Sequence, residues 1–251
     1  MASNIEKNLG PSEKMNIESS SIVVQSNAMI QGRQSLTPIQ AKLVRMCIAQ
    51  VIGDDVEFKP YQISISELGN VLGLSKSNLY RDAKEICEGI IKKPIILNSG
   101  KSWRAIPWVS LCEYVDNTGM ISIKLNDELK PYLLQLKDQF YTKYSIESIL
   151  RFKSIYSIRL FELLQMKLGG RIPLISVGTT VTLSIEEIRL ACECADKYSQ
   201  LGPFKKYVID AAVNEINAST MYHITYETPR DGRKIERVVF VISTRYGISE
   251  K

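Results

Sequence analysis

One histidine and five cysteines set narrow limits on the chemistry this chain can perform. His223 lies between Tyr222 and Ile224 in a strand-like run, the place of an ordinary sheet residue. A mechanism that needs two histidines, such as a paired-His metal site that nicks DNA through a tyrosine, is unavailable within one chain. A Ser-His-Asp site would have to be built on His223 alone. Cys47, Cys87 and Cys112 stand singly in apolar or amphipathic stretches. Cys192 and Cys194 are one residue apart, with no second pair at zinc-ligand spacing. All five read as reduced, mostly buried thiols. Neither G-x-x-x-x-G-K-[ST] nor G-x-G-x-x-G occurs, so nothing is built to cradle a nucleotide phosphate. No metal, no cofactor and no enzymatic activity are expected.

Cations on helix faces and at a hairpin tip offer a different chemistry, the contact of phosphates and base edges. In residues 198–243, Phe204, Val208, Ala212 and Ile216 recur every fourth residue and predict the buried face of a helix over 203–218. Pro203 suits its first turn. Lys206, Asp210 and Asn217 point away from that stripe at about 100° per residue. Strands are predicted at 222–227 and 235–243, with Asp231-Gly232 as the turn signal between them. Arg230, Arg233 and Lys234 crowd the connection. A polar-edged helix followed by a basic hairpin is the plan of a winged helix, whose helix enters a major groove while the tip reaches the neighbouring backbone. The same pattern also fits a helix packed on a sheet with a solvated hairpin.

The first half repeats the plan. Thr37 and Pro38 open a helix through Leu43 and Met46. Ser64-Ile-Ser-Glu67 is a capping box before a short helix closed by Gly73, and Ser75 caps another at once, which is helix-turn-helix spacing. In that second helix Leu79, Ala83, Ile86 and Ile90 face the core, and Ser77, Arg81 and Lys84 face outward. Strands follow near 94–97, 103–114 and 120–125. The hairpin tip Asn98-Ser-Gly-Lys101 serves as the first wing, with one cation. Pro107 marks an edge or bulge, and Trp103 and Trp108 read as core or interface before they read as a base-stacking platform. Asn126 to Leu136 is expected to be a helix that returns onto the first unit. Ser184-Ile-Glu-Glu187 is a second capping box, with Leu183 and Ile188 as its hydrophobic staple.

The expected fold is therefore α+β, with two tandem winged-helix domains related by pseudo-symmetry. The repeat is one of architecture, with no residue-level repeat visible. The boundaries are a disordered tail at 1–21, a first winged helix at 22–137, a junction at 138–151 and a second winged helix at 152–246. With 251 residues, 45% of them hydrophobic, two packed cores are within reach, and a net charge of +5 permits nucleic-acid binding without proving it. No apolar run approaches a membrane span and no signal-peptide core opens the chain, so a cytoplasmic protein is expected.

Four places carry a resemblance to a known family: Leu36-Thr-Pro-Ile-Gln-Ala-Lys-Leu43; Leu129-Lys-Pro-Tyr-Leu-Leu-Gln-Leu-Lys137 with Phe140-Tyr-Thr-Lys-Tyr144; Lys153-Ser-Ile-Tyr-Ser-Ile-Arg-Leu-Phe-Glu-Leu-Leu164; and residues 204–217 with Gly232-Arg233-Lys234. The chain resembles iteron-binding plasmid replication initiators of the two-winged-helix kind, over roughly 22–243. The resemblance implies double-stranded DNA at plasmid origin repeats as the partner, opening of an adjacent AT-rich segment, and recruitment of the host initiator and replicative helicase. It also implies, for some members, a dimer that represses the protein's own gene through contacts of the first winged helix. By position it makes residues 204–217 the main major-groove reader, with Lys205 and Lys206 near its start, Arg230, Arg233 and Lys234 on the second wing, and Arg81 and Lys84 on the first recognition helix. Asp210 departs from the expected charge, because on the outward face it would repel phosphate unless it accepts from a cytosine amino group. A winged-helix transcriptional regulator without a replication role needs the same groove contacts and stays open at this point.

Overall fold

Two runs of the chain fold in the same order: helix, strand, capped helix, recognition helix, hairpin. The computed structural model describes residues 13–18, 21–53, 55–100, 102–115, 118–134, 136–137, 140–171, 178–232 and 234–245. A lead-in consists of β1 (Glu13–Lys14), β2 (Ile22–Ser26), α1 (Asn27–Gln31) and β3 (Arg33–Gln34). The first unit follows with α2 (Pro38–Ile48), β4 (Tyr61–Ser64), α3 (Ile65–Leu72) and α4 (Lys76–Lys92), then the hairpins β5 (Ile95–Ser99) with β6 (Ser102–Ile106) and β7 (Val109–Val115) with β8 (Met120–Leu125). A short 3-10 turn (Asp127–Leu129), α5 (Lys130–Leu133), β9 (Tyr141–Ser145) and α6 (Glu147–Leu150) lead to the second unit. That unit contains α7 (Ile155–Leu168), β10 (Thr179–Ser184), α8 (Ile185–Ala191), α9 (Leu201–Phe204), a π-helical segment (Lys205–Asp210), α10 (Ala211–Ser219), β11 (Tyr222–Glu227) and β12 (Arg237–Thr244).

The pseudo-symmetry is topological. In the first unit the sheet runs β4-β8-β7, and in the second β10-β12-β11. Each time, the strand before the capped helix pairs antiparallel with the second strand of the hairpin. Each of those strands ends on the serine that caps the next helix. Ser64 accepts from the Glu67 N–H and Ser184 from the Glu187 N–H, and each Glu reaches back to its serine's backbone. A short residue repeat does exist there, contrary to expectation: Ile63-Ser-Ile-Ser-Glu-Leu68 matches Leu183-Ser-Ile-Glu-Glu-Ile188 at five of six positions, three by identity and the two ends by a Leu/Ile exchange. Strand end, cap and staple residue are specified together by this short run in both units.

Several sequence expectations are corrected. Part of the tail, residues 13–18, is structured: Glu13 and Lys14 pair in parallel with Tyr61 and Gln62, Met15 is buried, and Lys14 meets Glu67 at 2.6 Å. Residues 1–12 lie outside the described residues. The supposed junction contains β9, which pairs along its whole length with β2, Ile22 opposite Ser145 through Ser26 opposite Tyr141. Pro107 separates two sheets, because β6 pairs with β5 while β7 pairs with β8. The hairpin equivalent to the second wing is thus β7–β8, and β5–β6 is an addition that recruits β3. The expected helix at 126–136 shrinks to the 3-10 turn and α5, with Pro131 in its first turn. Residues 172–177 lie outside the described residues.

Helix α7 is the centre. It touches α1 and α2 of the first half and α8, β10 and α10 of the second. Its neighbours explain three charged residues at fully buried positions. Glu162 accepts from Arg45 Nε at 3.0 Å and Nη2 at 3.2 Å, from Arg159 Nη1 at 2.6 Å, from the Tyr144 hydroxyl at 2.6 Å and from Gln25 Nε2 at 3.0 Å. Burial alone would raise its pKa, but the Arg45 and Arg159 charges and these donors outweigh it and hold the carboxyl at about 2. Arg159 also donates to the carbonyls of Ile30, Gly32 and Ala191, tying α1 to α8. The Arg45 guanidinium lies 5.1 Å from the ring centre of Trp108, which is fully buried and so is core.

Candidate nucleic-acid interface

The second recognition helix contains an anomaly that its sequence foreshadows. A four-residue period drifts by about 40° per step on an α-helix, so residues 204 and 216 should lie about 120° apart. Yet Phe204, Val208, Ala212 and Ile216 are all fully buried. The π-helical segment Lys205–Asp210 widens the turn and absorbs the drift. Ile209 and Val213 are buried beside them, which leaves Lys206, Tyr207, Ala211, Asn214 and Ala218 exposed along the other side.

The polar side chains expected to face outward divide. Lys206 is exposed, its ammonium 5.3 Å from the Tyr207 ring centre. Lys205 instead turns onto β11, 3.4 Å from Thr228 Oγ1 and 5.5 Å from the Tyr226 ring centre. Asp210 accepts a hydrogen bond from the Tyr226 hydroxyl, so its carboxylate has a protein partner. Asn217, expected outward, clamps the start of the hairpin: its Nδ2 donates to the Ile224 carbonyl at 2.8 Å and its Oδ1 accepts from the Ile224 N–H at 2.7 Å. Helical phase alone could not reveal this, because the partner is a strand that follows the helix.

The second wing closes tightly. The Asp231 N–H donates to the Lys234 carbonyl at 2.8 Å and the Lys234 N–H to the Asp231 carbonyl at 3.1 Å, with Gly232 at φ 59°. That left-handed conformation is one that glycine adopts without strain. Arg230 and Lys234 are exposed at the tip, and Arg233 lies outside the described residues.

On the first recognition helix Leu79, Ala83, Ile86 and Ile90 are buried as expected. Ser77, Arg81 and Lys84 are all exposed on one stripe. Ser77 Oγ sits 2.8 Å from Ser75 Oγ. Arg81 directs Nε and Nη2 at Asp82, at 2.7 and 3.2 Å, so its fork is occupied in the free protein. Tyr80 packs on the β7–β8 tip, where a Cβ on Gly119 would meet the Tyr80 hydroxyl at 2.6 Å and φ is 65°. That tip, Asp116-Asn-Thr-Gly119, carries no cation. Charge is thus unequally shared, and the second unit has the basic wing. Lys101, on the tip first taken as the wing, lies outside the described residues.

Comparison with known proteins supplies the family. Residues 22–165 match the model described as Initiator Replication protein, WH1, and residues 184–242 the model described as Initiator Rep protein, WH2. The first match takes in most of α7 and so runs past the boundary at 152 expected from sequence. A replication initiation protein of Escherichia coli is 18% identical over 228 residues, covering 88% of this chain and 69% of that protein. The crystal structure of Pi initiator protein in complex with iteron DNA shares the fold, with a TM-score of 0.75 at 17% identity, over 92% of this chain and 100% of that one. The chain belongs to the family of initiator replication proteins, with the WH1 and WH2 winged helices as its two halves.

Proposed function

We propose that the protein binds direct repeats of double-stranded DNA at a plasmid origin and initiates replication there without catalysing a covalent step. The observation that carries this reading is the pairing of both family halves with an exposed cationic face on the second one: Lys206 on the recognition helix, Arg230 and Lys234 on the wing. The fold shared with an initiator bound to iteron DNA supports it. In this reading the helix at 201–219 enters a major groove, with Lys205, Lys206, Arg230, Arg233 and Lys234 as its cations. Ser77, Arg81 and Lys84 of α4 contact a second groove, and Arg81 exchanges Asp82 for phosphate. The bound protein opens an adjacent AT-rich segment and recruits the host initiator and replicative helicase. A dimer formed through the first unit represses the protein's own gene. In this reading the site of action is cytoplasmic. No helix among the described residues is long and apolar enough to cross a membrane.

A gel shift of the full-length protein on its origin DNA is the direct test. Lys206→Ala together with Arg233→Ala should weaken repeat binding strongly, and unchanged binding would overturn the site assignment. Deleting the gene should abolish replication of the plasmid, whereas normal copy number would place the protein among transcriptional regulators.

A further inference from the structure

Lys205, Asp210, Glu215 and Asn217 each have a partner within the protein. These are Thr228, Tyr226, the N–H groups of Lys153 and Ser154, and Ile224 respectively. Asn214 is exposed, and its amide has no hydrogen-bond partner among the described residues. Ala211 is exposed just under one turn before it, and Tyr207 one turn before that. Spacings of four and three place all three on one face. Tyr207 is 51% exposed, but its ring is not free to swing: it stacks on Tyr198 with centroids 5.7 Å apart and planes 22° apart. Tyr198 in turn meets Tyr156 of α7 edge-on at 6.3 Å. An exposed aromatic ring is thereby held in register with the helix face.

We infer that Ala211 and Asn214 form the base-reading line of the second recognition helix, with Tyr207 at its edge, and that Asn214 specifies an adenine. The inference rests on the DNA-binding reading above and deepens it. A free carboxamide offers one acceptor and a donor pair side by side. In the major groove adenine presents the complementary N6 donor and N7 acceptor, which is why Asn pairs with it in bidentate fashion. Ala211 presents only a methyl group, which suits the thymine C5 methyl at a neighbouring position. Tyr207, with Lys206 against its ring, borders the line on the side of the sugar-phosphate backbone. From 207 to 214 the helix rises about 10 Å, the length of about three base-pair steps.

The test is selection of binding sites by full-length protein from double-stranded DNA carrying a randomised core of about three helical turns. Wild-type protein should enrich one motif with a fixed adenine. Asn214→Ala, a change at an exposed position, should melt at the same temperature and lose about 10-fold or more of the preference at that position. The rest of the motif and the salt dependence of binding should be retained. Asn214→Asp should shift the same position toward cytosine, whose amino group a carboxylate accepts from. If Asn214→Ala enriches the wild-type motif with its adenine preference intact, the inference is overturned while the DNA-binding reading stands. If wild-type protein enriches no motif, sequence-specific binding itself fails, and the reading line with it.

Discussion

Glu162 shows how a single carboxylate can hold two halves of a chain together. Its donors come from α2, α7, β9 and β2, and both its arginines are fully buried. Removing the acid would leave two uncompensated cations in the core, so Glu162→Ala should destabilise by about 3–5 kcal/mol in chemical denaturation. The sign of the pH effect follows from the depressed pKa. The folded state holds the carboxyl at about 2 against 4.5 for a free side chain, so the unfolded chain binds the extra proton first. The stabilisation is complete above about pH 4.5 and is lost as pH falls toward 2, with a total of about 3 kcal/mol. Denaturation curves across that window should lose this slope in Glu162→Gln. Asn217→Ala should cost about 1–3 kcal/mol by leaving the Ile224 backbone without its clamp. None of this was legible in the sequence, where Arg45, Arg159 and Glu162 are merely charges inside apolar runs. The residues that meet them lie as much as 137 positions away.

At the scale of elements, far more was written in the chain. Thr37, Ser64 and Ser184 announce helix starts by side chain alone, and all three form full capping boxes. Ser64→Ala and Ser184→Ala should each cost about 1 kcal/mol, measurable as a shift in the denaturation midpoint. What failed was whatever depended on strand partners. Pairing of β2 with β9, of β1 with β4, and the separation of β6 from β7 are decisions made between distant segments, and alternation within one segment does not encode them. The recognition helix lies between these extremes. Its buried stripe was correct, but its outward face was misplaced at Asp210 and Asn217, because the π segment and the following strand redirect both. A four-residue period sustained from 204 to 216 was the visible sign of that wider turn. The separation of Lys206 from Lys205 belongs here too. Lys206→Ala should reduce the salt slope of DNA binding by about one if its ammonium meets a phosphate, and should relax specificity instead if it meets a base.

For the whole molecule, the repeat of helix, strand, capped helix, recognition helix and hairpin around α7 yields two potential readers with unequal charge. The second has the cationic wing, and the tip of the first has none. Two such units on one duplex would cover successive major grooves, about 10 bp apart. The most direct measurement is a hydroxyl-radical footprint of the full-length protein on its origin DNA. Two protected blocks should lie one helical turn apart on the same face, and Lys206→Ala should weaken the block read by the second unit first. A single protected block, or protection indifferent to the repeat sequence, would contradict the account.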